Sequence, residues 1–222
     1  EPFSIMEKYG ADTVRWYLPY VSPVWTPIKF DEEGLKEIYS KFISTFRNTY
    51  SFFEMYANAD SIDPREYDIK VSDRDITDKW LISKENKMLK EVTEGYEAYD
   101  LTKVVRCVTT FINDDLSNWY IRSNRRRFWA SELTDDKKAV YQTTYEILLM
   151  LTKIVAPITP FIAEEIYQKL TNNKSVHLES FPKYDESLIN EKVEEKMDLV
   201  RDICSLGRFA REDAKIKVRQ PL

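Results

Sequence analysis

Apolar residues recur every three or four positions through most of this chain, the spacing of helices that turn one face to a core. The longest such run is Leu101, Val104, Val108, Phe111, Ile112, Leu116, Trp119 and Tyr120, preceded by Asp100 as a helix-capping residue. The pattern extends to Trp129. At about 1.5 Å per residue a helix over 101–129 would be about 40 Å long, which leaves room for a kink near Asn113–Asp115.

The remaining segments follow the same logic. Ser4–Tyr20 reads as a helix in which Gly10 is tolerated or marks a short break. Pro19, Pro23 and Pro27 then exclude regular helix through Ser22–Ile28. That stretch is a connector with Val21, Val24 and Trp25 as its expected anchors. Asp31, with Glu32 and Glu33 behind it, starts a helix to about Met55. Its apolar face is Ile38, Phe42, Phe46, Tyr50 and Phe53. Asn58–Ser72 is polar and reads as a loop, and Ile76–Tyr99 as the next helix. After Leu133–Asp136, a turn with an N-cap, a helix covers Lys137–Val155. Ala156–Pro160 breaks it before another over Phe161–Leu170. Thr171–Asp185 is a loop. The last helix runs from Glu191 to about Ala214, with Met197, Val200, Ile203, Cys204 and Leu206 on one side. The tail 215–219 alternates charged and apolar residues, as a strand beginning there would. The expected fold is all-α, an antiparallel bundle of long helices.

Composition narrows the function. Four glycines in 222 residues disfavour turn-rich β architectures, Rossmann loops and P-loops. The net charge of −5 argues against a general nucleic-acid coat but leaves room for a local basic patch. Cys107 and Cys204 lie far apart within helical patterns and are expected to be buried free thiols, as in a reducing cytoplasm. No apolar run is long enough to span a bilayer, and no signal peptide is present. Both ends look cut, which suggests a portion of a larger protein.

Catalytic chemistry is hard to assemble. His177 is the single histidine and has no cysteine or paired carboxylate at ligand spacing. Asp114–Asp115 and Glu164–Glu165 are adjacent pairs, and adjacent helical residues do not face each other. Structural salt bridges are the expected role for the aspartates, one of them with an arginine in the core. No catalytic or metal-binding residue is assigned.

The sequence Asp114–Trp129 is different. It carries four arginines and two of the five tryptophans, with no acidic residue after Asp115. Arg122, Arg125 and Arg126 stand at i, i+3, i+4 and share a face; Arg127 lies to the side. Guanidinium groups bind phosphate in bidentate fashion, and aromatic side chains such as Trp129 stack unpaired bases. A solvated charged face or an internal ion-pair network is the competing interpretation. Trp119 and Tyr120 fall on the core face and read as packing, while Asn118 and Arg122 suit either a buried network or an RNA contact. The tail cations Arg208, Arg211, Lys215, Lys217 and Arg219 are open to the same two interpretations.

Several stretches resemble one family. Gly10-Ala11-Asp12-Thr13-Val14-Arg15-Trp16-Tyr17-Leu18 resembles the helix after the Lys-Met-Ser-Lys-Ser loop of class I aminoacyl-tRNA synthetases. Asp114-Asp115-Leu116-Ser117-Asn118-Trp119-Tyr120-Ile121-Arg122, with Arg125–Trp129 after it, looks like the anticodon-binding helix of isoleucyl-tRNA synthetases. Ala156-Pro157-Ile158-Thr159-Pro160 through Tyr167, Ser175–Leu178, and 206–222 also match. The resemblance covers essentially the whole chain and favours the isoleucyl over the valyl or leucyl branch.

What the family needs for catalysis is missing: neither the His-Ile-Gly-His motif nor the Lys-Met-Ser-Lys-Ser loop is present, nor is an editing domain. The resemblance therefore implies a tRNA-binding portion without adenylation or editing sites. Residues 1–28 would be a junction from the catalytic domain, 29–205 the helical anticodon-binding domain and 206–222 the start of a C-terminal junction. It implies Asn48, Arg122, Arg125, Arg126, Arg127 and Trp129 as tRNA contacts. The implied partners are the tRNA-Ile anticodon stem-loop and the catalytic domain of the same chain, with no membrane. The portion itself needs no cofactor; ATP and Mg belong to the full-length ligase, with Zn a further candidate elsewhere in the parent. A cytoplasmic monomer is expected. The rival interpretation is a helical protein-interaction module, which predicts an exposed apolar groove and no tRNA affinity.

Overall fold

The computed structural model describes residues 2–221. Eight helices make up the described fold. The chain enters through α1 (Pro2–Tyr9) and α2 (Ala11–Val21), separated at Gly10, whose φ of 84° a side chain would disfavour. Helix α3 covers 32–60, α-helical over Glu32–Ile38 and Thr45–Asp60 with a π-helical turn at Tyr39–Ser44 between them. Then come α4 (Ile76–Glu97), the long α5 over 101–128, α6 (Asp135–Val155), α7 (Pro160–Thr171) and α8 (Glu191–Asp213). No strand occurs among the described residues.

Local signals start these helices where the sequence places them. The Asp31 carboxylate accepts from the Glu33 and Gly34 amides, Asp75 from Thr77, Asp100 from Lys103, and the Thr134 hydroxyl from Lys137. Each such cap is worth about 1 kcal/mol.

Helix α5 is the organising element. Its middle, Phe111–Ile121, is π-helical. The buried positions there come in pairs, Phe111–Ile112, Asp115–Leu116 and Tyr120–Ile121. That repeat of four to five residues fits i→i+5 bonding. The irregularity expected near Asn113–Asp115 is thus a widened helix. The shift also rotates Trp119 partly out of the core while leaving Tyr120 fully buried.

Helices α3, α4, α6 and α8 surround α5. Phe42 and Phe46 of α3, Trp80 and Leu89 of α4, and Leu148 and Leu151 of α6 are fully buried around its apolar face. The N-terminal helices belong to the same core. Trp16 stacks on Phe42 at 3.9 Å, and its Nε1 donates to Thr109 Oγ1. Asp12 accepts from the Ile162 amide at 2.7 Å, and Arg15 donates to the Ile158 carbonyl at 2.7 Å. Residues 150 positions apart in the chain therefore lock α2 onto the start of α7.

Several expectations are corrected. Val21, Val24 and Trp25 do not anchor the connector; Trp25 is 72% exposed. Arg106 holds its start instead, donating to the Tyr20 and Val21 carbonyls, and Tyr17 holds its end by accepting from the Asp31 amide. The cysteines are free, but Cys107 is half-buried and Cys204 exposed. Burial pushes the Cys107 thiol up to about 12, so it is unreactive at neutral pH. On α8 only Met197 of the predicted apolar face is buried, while Val200, Ile203, Cys204 and Leu206 are exposed. The tail forms no strand: Arg211 donates to the Lys217 and Gln220 carbonyls and folds it into a turn. Its apolar positions find no neighbouring strand to pair with.

Candidate nucleic-acid interface

The end of α5 presents its cations unequally. Arg122, Arg125 and Arg126 are exposed and make no hydrogen bond or ion pair among the described residues. The last stretch, Arg122–Phe128, is regular α-helix, so the i, i+3, i+4 spacing places these three guanidinium groups on one outward face.

Arg127, expected as an RNA contact, is engaged within the protein. Its Nη1 and Nη2 lie 2.8 and 2.7 Å from the two oxygens of Asp78, which is fully buried. It also pairs with Asp136 at 2.8 Å and donates to Asn124 Oδ1. A guanidinium occupied by two carboxylates has few donors left for phosphate. The Tyr120 hydroxyl donates to the same Asp78, so the buried charge is fully partnered.

Trp129 ends the helix and is 55% exposed. Tyr56 of α3 stands at a ring distance of 6.5 Å from it, and Phe52 packs edge-on against Phe128 at 5.1 Å. Asn48, Phe52 and Tyr56 follow one another at four-residue spacing along α3, so the helix brings Asn48 to the same side. Asn48 is exposed, and its amide makes only a long bond of 3.4 Å to Ser44 Oγ. Phe52 and Tyr56 were not singled out in the sequence. Their four-residue offset from Asn48 is the signal that would have found them.

A second network fixes the turn after Trp129. Buried Lys137 donates to the Ala130 carbonyl and pairs with Asp60 at 2.7 Å, while the Tyr141 hydroxyl donates to the same carboxylate. Burial works against the Asp60 charge, but the bonds from Lys137 and Tyr141 outweigh it and bring the carboxyl below its usual range. The exposed Trp129 therefore projects from a rigid base.

Among the described residues the other side chains with candidate acid–base chemistry are dispersed over the fold. His177 is exposed in a short turn after α7. Asp115 pairs with Arg201 at 2.6 Å and Lys84 at 3.8 Å, and burial still raises its pKa. Glu164 accepts from Ser175 and the Val176 amide, and Glu165 pairs with Arg47 and Lys169. No group of three or more metal-ligating side chains occurs among the described residues, and no helix there is long and apolar enough to cross a membrane.

Comparison with known proteins places this geometry. The family model described as the anticodon-binding domain of tRNA ligase matches residues 78–222. Over its whole length the chain is 44% identical to an isoleucine--tRNA ligase of Bacteroides thetaiotaomicron and 45% identical to one of Clostridium novyi. It covers 20% and 22% of those proteins, so it spans about a fifth of the length of these relatives. Among solved structures it is similar to the LeuRS of Agrobacterium radiobacter K84 in a ternary complex with tRNA and LeuAMS. The TM-score is 0.62 at 19% identity, over 86% of this chain and 21% of that one. At that identity the likeness concerns the fold.

Proposed function

We propose, from the premise that this chain belongs to the anticodon-binding domain family of tRNA ligases, that it holds the anticodon stem-loop of tRNA-Ile for an isoleucine--tRNA ligase. The observation that carries the proposal is the set of three exposed, unpaired arginines beside an exposed tryptophan, in a chain of net charge −5. Unpaired guanidinium groups attract the phosphate backbone, and the aromatic face accepts an unstacked base. The identity of 44–45% to isoleucine--tRNA ligases supports isoleucine as the amino acid of the parent.

In this mechanism Arg122, Arg125 and Arg126 neutralise loop phosphates, Trp129 stacks a base, and the Asn48 amide reads a base edge. Residues 29–205 form the RNA-facing bundle, 1–28 join it to a catalytic domain, and 206–222 lead to a C-terminal junction. The portion acts by positioning RNA and uses no cofactor of its own; ATP is consumed elsewhere in the parent, in the cytoplasm, by a monomer. The exposed apolar stripe on α8 is the surface the rival protein-interaction reading predicts, but that reading leaves the arginine end without a role.

The test is titration of the chain with a tRNA-Ile anticodon stem-loop and an unrelated stem-loop at two salt concentrations. Preferential, salt-sensitive binding of the first is the expected result. Equal binding of both by a folded chain would overturn the specificity, and no binding the function.

A further inference from the structure

A cleft of about 390 Å³ lies between the π-helical middle of α5 and the last helix α8; it shares Arg122 with the arginine face, and the rest of its lining lies outside the contacts proposed so far. Its lining includes Asn118, Trp119 and Arg122 from α5, and Asp202, Ser205 and Arg208 from α8. We infer that this cleft takes one unpaired nucleotide of the bound RNA loop, which makes α8 a second wall of the interface. The inference rests on the RNA-binding reading above.

The placement of α8 is structurally enforced. Arg201 reaches Asp115 at 2.6 Å and sits over the rings of Trp80 and Trp119 at 5.7 and 5.6 Å. Ser205 and Arg208 follow Arg201 at four and seven residues, so they share its face and border the cleft. The widened helix contributes from the other side. Asn118 and Arg122 are four residues apart and both outward, across the junction from π to α geometry.

The groups in the cleft are uncommitted. Asn118, Arg122 and Asp202 make no hydrogen bond or ion pair among the described residues. Arg208 makes one, from Nε to the Cys204 carbonyl of its own helix. The chemistry selects a nucleotide over a bare phosphate. Arg122 and Arg208 suit a phosphate, whereas the carboxylates of Asp202 and Asp114, the latter also lining the cleft and accepting from Asn113, would repel one; that of Asp202 accepts from a base amino group. Asn118 offers an acceptor and two donors to a base edge, and Ser205 offers both functions. Half-buried Trp119, already carrying Arg201, supplies an aromatic wall. The volume lies within the range of about 300–1,000 Å³ typical of sites for small organic groups. Arg122 links this cleft to Arg125 and Arg126, so an RNA loop can occupy both at once.

The experiment uses the 222-residue chain and tRNA-Ile anticodon stem-loops in which each loop nucleotide in turn is made abasic. Wild type is compared with Asn118→Ala, Arg208→Ala and Arg125→Ala/Arg126→Ala, after circular dichroism confirms equal helicity. One abasic position should weaken wild type by about tenfold or more. Asn118→Ala should lose a similar factor on the intact loop and become indifferent to that position, while the Arg125/Arg126 variant stays sensitive to it. Arg208→Ala should weaken the intact loop and flatten its salt dependence. Wild-type affinity in both Asn118→Ala and Arg208→Ala, or losses that do not couple to any one nucleotide, overturn the cleft and leave the Arg125–Arg126 contact standing. Failure of wild type to bind any stem-loop overturns both proposals.

Discussion

Arg127 Nη2 lies 2.7 Å from Oδ2 of Asp78, a carboxylate with no exposed surface, although Arg127 is one of three consecutive arginines in the sequence. Its neighbours Arg125 and Arg126 are exposed and have no partner among the described residues. Three adjacent identical residues thus divide into one that holds helices together and two that are free for a ligand. The division follows from helix geometry. A residue one step along is rotated by roughly 100°, which takes Arg127 from the outer face to the seam with α4.

Stability should separate the two kinds of arginine. Removing one partner of a buried ion pair leaves the other charge uncompensated, so Arg127→Ala should destabilise the chain by about 3–5 kcal/mol. Arg125→Ala should stay within about 0.5 kcal/mol of wild type. Urea unfolding followed by circular dichroism reads both, and equal midpoints for the two variants would contradict the assignment.

Salt dependence should count the free arginines. Each phosphate contact releases roughly one ion or slightly less, so replacing Arg125 and Arg126 together should lower the slope of log affinity against log salt by about two contacts' worth. Binding of the tRNA-Ile stem-loop at four or five salt concentrations measures it. A slope unchanged from wild type would remove these residues from the interface.

Gly95→Ala should destabilise, against its helix propensity. Alanine is favoured over glycine in a helix by about 1 kcal/mol. Here, however, a Cβ would meet Val104 Cγ2 at 2.7 Å, where α4 and α5 cross. Overpacking of that kind costs about 1–3 kcal/mol. A raised melting temperature for this variant would show that the crossing yields more easily than the distance implies.

Glu85 predicts a pH dependence. It is buried in α4, its Oε1 has no hydrogen-bond partner, and burial, with Glu146 nearby, raises its pKa well above the ordinary value. The folded state then keeps a proton that the unfolded chain releases near the usual carboxylate pKa. Stability from this group is full below that pKa and falls by up to about 1.4 kcal/mol per pH unit as pH rises toward the folded value. Glu85→Gln removes the titration, so its stability relative to wild type should increase from pH 5 to pH 8. A constant difference across that range would mean that Glu85 is ionised in the fold.

Much of the fold can be read without coordinates. The caps at Asp31, Asp75, Asp100 and Thr134 act through the next two or three residues, and periodicity acts through the next turn, so both survive any tertiary arrangement. The anchoring of the connector and the cover over the last helix depend instead on distant elements. Trp25, Val200, Ile203 and Leu206 are apolar at helical or anchoring positions, yet they stay exposed in the described fold. Periodicity shows which face is apolar but not whether another element covers it.

The candidate site divides along the same line. The sequence by itself determined an all-α bundle, an arginine cluster at the end of its longest helix, and a family resemblance that the match over 78–222 bears out. Tertiary structure alone decided which arginines are free. It committed Arg127 to Asp78 from α4, brought Tyr56 from α3 beside Trp129, and latched α8 onto α5 through Arg201 and Asp115. Local patterns arise from forces between residues a turn apart, whereas a charge becomes available or occupied through partners dozens of positions away, which only the packed chain brings within reach.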